Sequence, residues 1–135
     1  MEEKISHREE LVDESIDVTE NEIESFSKEG FVILEKAILK ESQKMIEIFQ
    51  EELQMILDGE YPTKIAPDKV PNKKKLQNKK KTTLQIINVW KSSNNFKNLV
   101  NSSIIGKIVS KLAGWKCGAR LAQDQVWIKP PNSGV

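Results

Sequence analysis

At 135 residues the chain is long enough to bury a core without disulfide or metal staples. A single cysteine excludes an internal disulfide and a thiolate zinc cluster, and a single histidine near the start leaves none for a Ser-His-Asp set elsewhere. Hydrophobic residues at 38% and charged ones at 30% fit one globular domain, and no apolar run approaches the roughly 20 residues of a membrane helix. Net charge is +1 but polarised: residues 1–60 hold 18 acidic and 6 basic side chains, residues 61–135 hold 2 and 15. Such asymmetry either marks an anion-facing half or lets the two halves attract each other.

The opening stretch MEEKISHREELVDESIDVTE lacks the basic start and apolar middle of a secretory leader, so a cytoplasmic location is expected. Residues 1–17 show no sustained periodicity and read as a mobile acidic tail, with structure starting at Val18. Thr19 followed by Glu22 is a capping box, Val18 and Ile23 stand at staple positions, and Gly30 stops the short helix. FVILEKAI is an apolar, β-branched run of strand length. In KESQKMIEIFQEELQMILDGE, Met45, Ile46, Phe49, Leu53, Ile56 and Leu57 fall on one helical stripe, with Glu51 and Glu52 assigned to the solvated side.

Residues 59–82 break the pattern, with Pro62, Pro67 and Pro71 and the lysine-rich PNKKKLQNKKKTT, and read as one long loop. LQIINVW then reads as a buried strand. A short helical turn over NNFKNLV precedes a helix whose Ile104, Ile105, Ile108, Val109 and Leu112 share a face, closed by Gly114. ARLAQDQVWIKPP reads as a strand of about ten residues ended by prolines, which cannot donate to a ladder. Two or three strands beside this many apolar faces do not make a stable sheet unaided, so the domain looks incomplete.

In that last strand Gln123, Gln125, Trp127 and Lys129 share one face, and Ala122, Asp124, Val126 and Ile128 the other. The second face is core-like. Two amides, an indole and an ammonium in a row need polar partners if covered, which a polar ligand supplies; the alternative is the solvent side of an edge strand.

EGFVILEKAI, the long helix after it, LQIINVW, the helix ending in KLAGW, and RLAQDQVWIKPPNSG together resemble the phytanoyl-CoA dioxygenase-like family over residues 18–135. That resemblance implies an α+β fold in which N-terminal helices and the first strands begin a double-stranded β-helix, the jelly-roll or cupin-like barrel. It implies an Fe(II)- and 2-oxoglutarate-dependent dioxygenase that hydroxylates a small organic or acyl substrate. The family's iron ligands, a His-x-Asp pair after the Lys-Pro-Pro turn and a later histidine, have no counterpart here, where the one histidine is His7. The 135 residues are therefore expected to be the N-terminal part of an oxygenase, inactive alone, with no catalytic and no metal-binding residue of their own. By resemblance Gln125 and Trp127 line the 2-oxoglutarate pocket and Gln85 lies on a second pocket-lining strand; Lys129, on the same face as Gln125 and Trp127, either contacts a carboxylate or substrate or has a structural role at the barrel rim.

A competing reading is a non-catalytic module that binds anions or nucleic acid through Lys73, Lys74, Lys75, Lys79, Lys80 and Lys81, because lysine runs neutralise phosphates. Only Tyr61 lies near that run as an aromatic for base stacking, and no RNP, KH, zinc-finger, Walker or Rossmann pattern is present. The expected partner is a small-molecule substrate, with no nucleic acid and no membrane.

Overall fold

A computed structural model describes residues 9–36 and 38–131. The Thr19 hydroxyl accepts from the Glu22 backbone N–H at 3.2 Å, and the Glu22 carboxylate accepts from the Thr19 N–H at 2.7 Å, closing the capping box that opens helix α1, Glu20–Glu29. Gly30 takes the left-handed conformation, φ 79°, that ends α1. Helix α2, Ser42–Leu57, supplies the main core wall by burying Met45, Phe49 and Ile56, with Leu53 and Leu57 half-buried. Ile46 is exposed, so the stripe is narrower than the sequence implies.

The 59–82 segment is not wholly irregular. Asn72 accepts from the Lys75 N–H at 2.9 Å and caps a short helix α3, Lys73–Gln77. Strand β1, Leu84–Ile87, follows, and Asn88 in the left-handed region (φ 56°) turns the chain into a 3₁₀ turn, Val89–Lys91. Helices α4, Asn94–Val100, and α5, Ser103–Ala113, are capped by Ser93 and Ser102. On α5 only Ile108 of the expected apolar set is fully buried, and Val109 is exposed. Strand β2, Gln125–Ile128, pairs antiparallel with β1 in the register Leu84–Ile128, Gln85–Trp127, Ile86–Val126, Ile87–Gln125. β2 is four residues long and not about ten, because its only ladder partner among the described residues has four. The chain is thus α+β, with a small two-stranded sheet beside helices.

The core gathers Leu11, Met45, Phe49, Ile56, Ile86, Val89 and Phe96, with the Phe49 and Phe96 rings 4.7 Å apart and tilted 49°. Leu11 belongs to it, and Val12 and Ile16 are buried as well. The mobile tail expected over residues 1–17 is therefore corrected for its described part. Residues 9–17 lie along residues 38–40, with the Asp13 N–H on the Ile38 carbonyl and the Lys40 N–H on the Leu11 carbonyl, each at 2.9 Å. His7 lies outside the described residues.

FVILEKAI, expected to be a strand, has no ladder. Residues 31–35 alternate in exposure as a strand would, but Phe31 and Ile33 are 61% and 74% exposed, and no strand lies beside them among the described residues. Glu52 is also corrected: it is half-buried, accepting from the Ser93 hydroxyl and from Asn95 Nδ2 at 2.9 Å, and ties α2 to the start of α4.

Between the acidic and basic halves, ion pairing among the described residues runs only through Asp17, which takes Lys107 Nζ at 3.3 Å and Lys111 Nζ at 2.5 Å. Those lysines, Lys111 above all, and the Val18 N–H hold the Asp17 carboxyl well below its usual range. The basic half therefore keeps most of its charge for solvent or ligands.

Candidate functional site

The pleat of the β1–β2 ribbon decides which side chains meet. Leu84 and Ile86 turn inward to near-zero exposure, so Gln85 must point outward, opposite Trp127 and diagonal to Gln125. The two amides meet: Gln85 Nε2 donates to Gln125 Oε1 at 2.9 Å, bridging 40 residues of sequence. On the other side Lys69 Nζ donates to Gln85 Oε1 at 3.2 Å. Lys69 is brought there by a backbone bridge to Ile87, in which each residue's peptide is within 3.0 Å of its partner: the Ile87 N–H meets the Lys69 carbonyl and the Asp68 N–H meets the Ile87 carbonyl.

Trp127 is 60% exposed beside these amides and offers a flat apolar wall. Lys129, one residue past the end of β2, continues the exposed alternation and has no hydrogen-bond or ion-pair partner among the described residues. Gln85, Gln125 and Trp127 are thus brought together, and Lys129 lies at the end of the same strand face. Next to Gln85 a cavity of about 90 Å³ is lined by Lys69, Val70, Pro71, Asn72, Lys75 and Gln85. Sites for whole small molecules run to about 300–1,000 Å³, so this one has room for a single small group. Among the described residues its lining contains two ammoniums, two amide side chains and no carboxylate.

At the inner end of the ribbon, Asp124 does not simply join the core face. Its carboxylate accepts from the Val89 N–H at 3.0 Å and the Trp90 N–H at 3.4 Å, while the Asn88 N–H meets the Asp124 carbonyl at 2.9 Å. Burial pushes the Asp124 carboxyl above its usual range, against the lowering by those two N–H groups. Asn88 Nδ2 donates to Asp68 at 2.6 Å, and Lys91 and Asn88 together hold the Asp68 carboxyl low. This network sets the angle between β1 and the 3₁₀ turn, and so fixes the ribbon that carries Gln85.

Sequence reasoning missed Lys69 and the cap made by Asp124. A signal for Lys69 existed in APDKVPN: prolines on both sides favour an extended backbone, which can run beside a strand. Tyr61, the one aromatic near the lysine run, packs against the core and is not presented for base stacking.

Among the described residues no group of three or more His, Cys, Asp or Glu side chains is placed to hold a metal ion. The residues of the sheet face fit a carboxylate; they do not fit iron. No helix among the described residues is long and apolar enough to cross a membrane. No protein-family model matches the chain, and neither a curated protein nor a solved structure matches it.

Proposed function

We propose that this chain forms the N-terminal part of an Fe(II)- and 2-oxoglutarate-dependent dioxygenase barrel, of the kind the phytanoyl-CoA dioxygenase-like resemblance implies, acting on a small organic or acyl substrate. The observation that carries the reading is the Gln85–Gln125 bond clamped by Lys69 beside Trp127. It joins residues 40 apart on the face that the resemblance assigns to 2-oxoglutarate. A dicarboxylate needs donors without competing acids, and this face offers the Gln125 amide N–H groups, the remaining protons of Lys69, and Lys129.

On this reading the chain's own residues bind and orient. Lys69 and Lys75 attract one carboxylate into the 90 Å³ cavity. Gln85, held from both sides, keeps its amide plane fixed, so little ordering entropy is lost when the ligand arrives. Trp127 covers the apolar middle of the ligand and excludes water from it. Iron and 2-oxoglutarate, when bound, supply the oxygen-activating chemistry. The iron ligands would come from residues outside these 135, as would further strands beside β2. Two features support an addition of strands: β2 has no neighbour on its outer edge among the described residues, and residues 31–35 alternate in exposure without a strand partner among them.

The test is to read the open reading frame past the Val135 codon and assay the encoded protein for Fe(II)-dependent release of CO₂ from 2-oxoglutarate. A His-x-Asp pair with a later histidine, and turnover that falls on Gln125→Ala, is the expected result. A stop codon at that point, or a frame without those ligands, contradicts it.

A further inference from the structure

A second cavity of the described residues, about 790 Å³, lies away from the sheet, between α5 and the turn that follows it. Its construction is local. Gly114, left-handed at φ 67°, ends α5, and the Trp115 N–H bonds back to the Ser110 carbonyl at 2.9 Å. Gly118, also left-handed at φ 84°, then reverses the chain, so that residues 115–121 face the helix they have just left. Ile105 and Val109, one helical turn apart, form the apolar wall on the α5 side. Trp115 and Leu121, 56% and 44% exposed, form the opposite wall.

Charge supplies the second half of the argument. Among the described residues no acidic side chain lines the groove, while four cations do. Lys107 and Lys111 share Asp17; Lys116 and Arg120 have no hydrogen-bond or ion-pair partner among the described residues. An apolar trough of ligand size with two unpaired cations on one wall is complementary to a molecule with an apolar body and an acidic group. From this geometry we propose that the groove is a binding site for an amphipathic organic anion. The apolar body lies between Val109 and Trp115, and the carboxylate, sulfonate or phosphate group meets Arg120 and Lys116. The groove shares no lining residue with the Gln85 face, so its occupancy and the oxygenase reading stand or fall separately.

The probe is 8-anilino-1-naphthalenesulfonate, followed by its fluorescence against the full 135-residue chain, with neutral N-phenyl-1-naphthylamine as the uncharged counterpart. Saturable one-site binding of the sulfonate is expected. It should weaken about tenfold in Lys116→Gln/Arg120→Gln, as for the loss of charge-assisted hydrogen bonds, while the neutral probe changes by less than about twofold. Lys79→Gln/Lys80→Gln/Lys81→Gln, on the other basic stretch, should bind the sulfonate as the parent does. The proposal is overturned if the groove variant binds the sulfonate unchanged, if the loop variant loses it equally, or if binding never saturates.

Discussion

Leu11→Ala is the most informative single perturbation of the fold, because a tail and a core segment give opposite expectations. Leu11 is 4% exposed and packs within the cluster that contains Met45, Phe49 and Ile56. Truncating a buried leucine costs about 2–5 kcal/mol through lost transfer energy and the cavity left behind, against a total stability of about 5–15 kcal/mol for a domain. At roughly 3–5 °C per kcal/mol for a chain of this length, the melting temperature should drop by on the order of 10 °C. Glu14→Ala is the matched control. Its side chain is 70% exposed in a surface pair with Lys40, and its loss should cost less than about 0.5 kcal/mol. Deleting residues 1–17 removes Leu11, Val12 and Ile16 together. At about 1.5–3 kcal/mol each, an upper bound, the sum is comparable to the whole stability, and the cooperative transition should vanish. Urea unfolding followed by tryptophan fluorescence reads all three. A Leu11→Ala midpoint equal to that of Glu14→Ala would refute the packing of residues 9–17.

Four further outcomes follow from other contacts in the structure. Asp124→Ala leaves the Val89 and Trp90 N–H groups without their acceptor, and should cost about 1–3 kcal/mol in the same urea assay. Because burial raises the folded-state pKa of Asp124, the folded state holds that proton more tightly than the unfolded one. Its contribution to stability therefore falls as pH rises from the ordinary aspartate value of about 3.9 toward the folded value. Asp124→Asn should flatten that stretch of the stability profile. Asp17 works with the opposite sign: its pKa is lowered, so its stabilisation is in place above the ordinary value and is lost as the solution is acidified, and Asp17→Asn should unfold less steeply in acid. Gly30→Ala forces a side chain into the left-handed helix cap and should cost about 1–2 kcal/mol, read as a lower melting temperature.

What the sequence revealed was whatever has a local cause. The Thr19–Glu22 box, the Gly30 and Gly114 stops, and the α2 stripe each depend on residues within a turn or two, and each stands in the structure, the stripe without Ile46. What it hid depends on distant partners. Leu11, Val12 and Ile16 sit among acids without sustained periodicity, and their burial comes from residues 38–40 and the core. FVILEKAI has the composition of a strand, but a ladder needs a neighbour, and residues 31–36 have none among those described. β2 ends where β1 ends, which no feature of ARLAQDQVWIKPP could set. On the sheet face, period-two alternation was enough to place Gln125 and Trp127 together, and Gln85 joined them through register. Lys69 required the tertiary bridge to Ile87.

The central claim, that the outward face of β1–β2 receives 2-oxoglutarate, is tested most directly by nuclear magnetic resonance on the ¹⁵N-labelled chain titrated with 2-oxoglutarate. Saturable shifts of the Gln85 and Gln125 side-chain amides and the Trp127 indole N–H are expected, lost in Lys69→Ala and weaker with the monocarboxylate butyrate. Shifts confined to Lys79–Lys81, or no saturable shift on the sheet face, would contradict the claim.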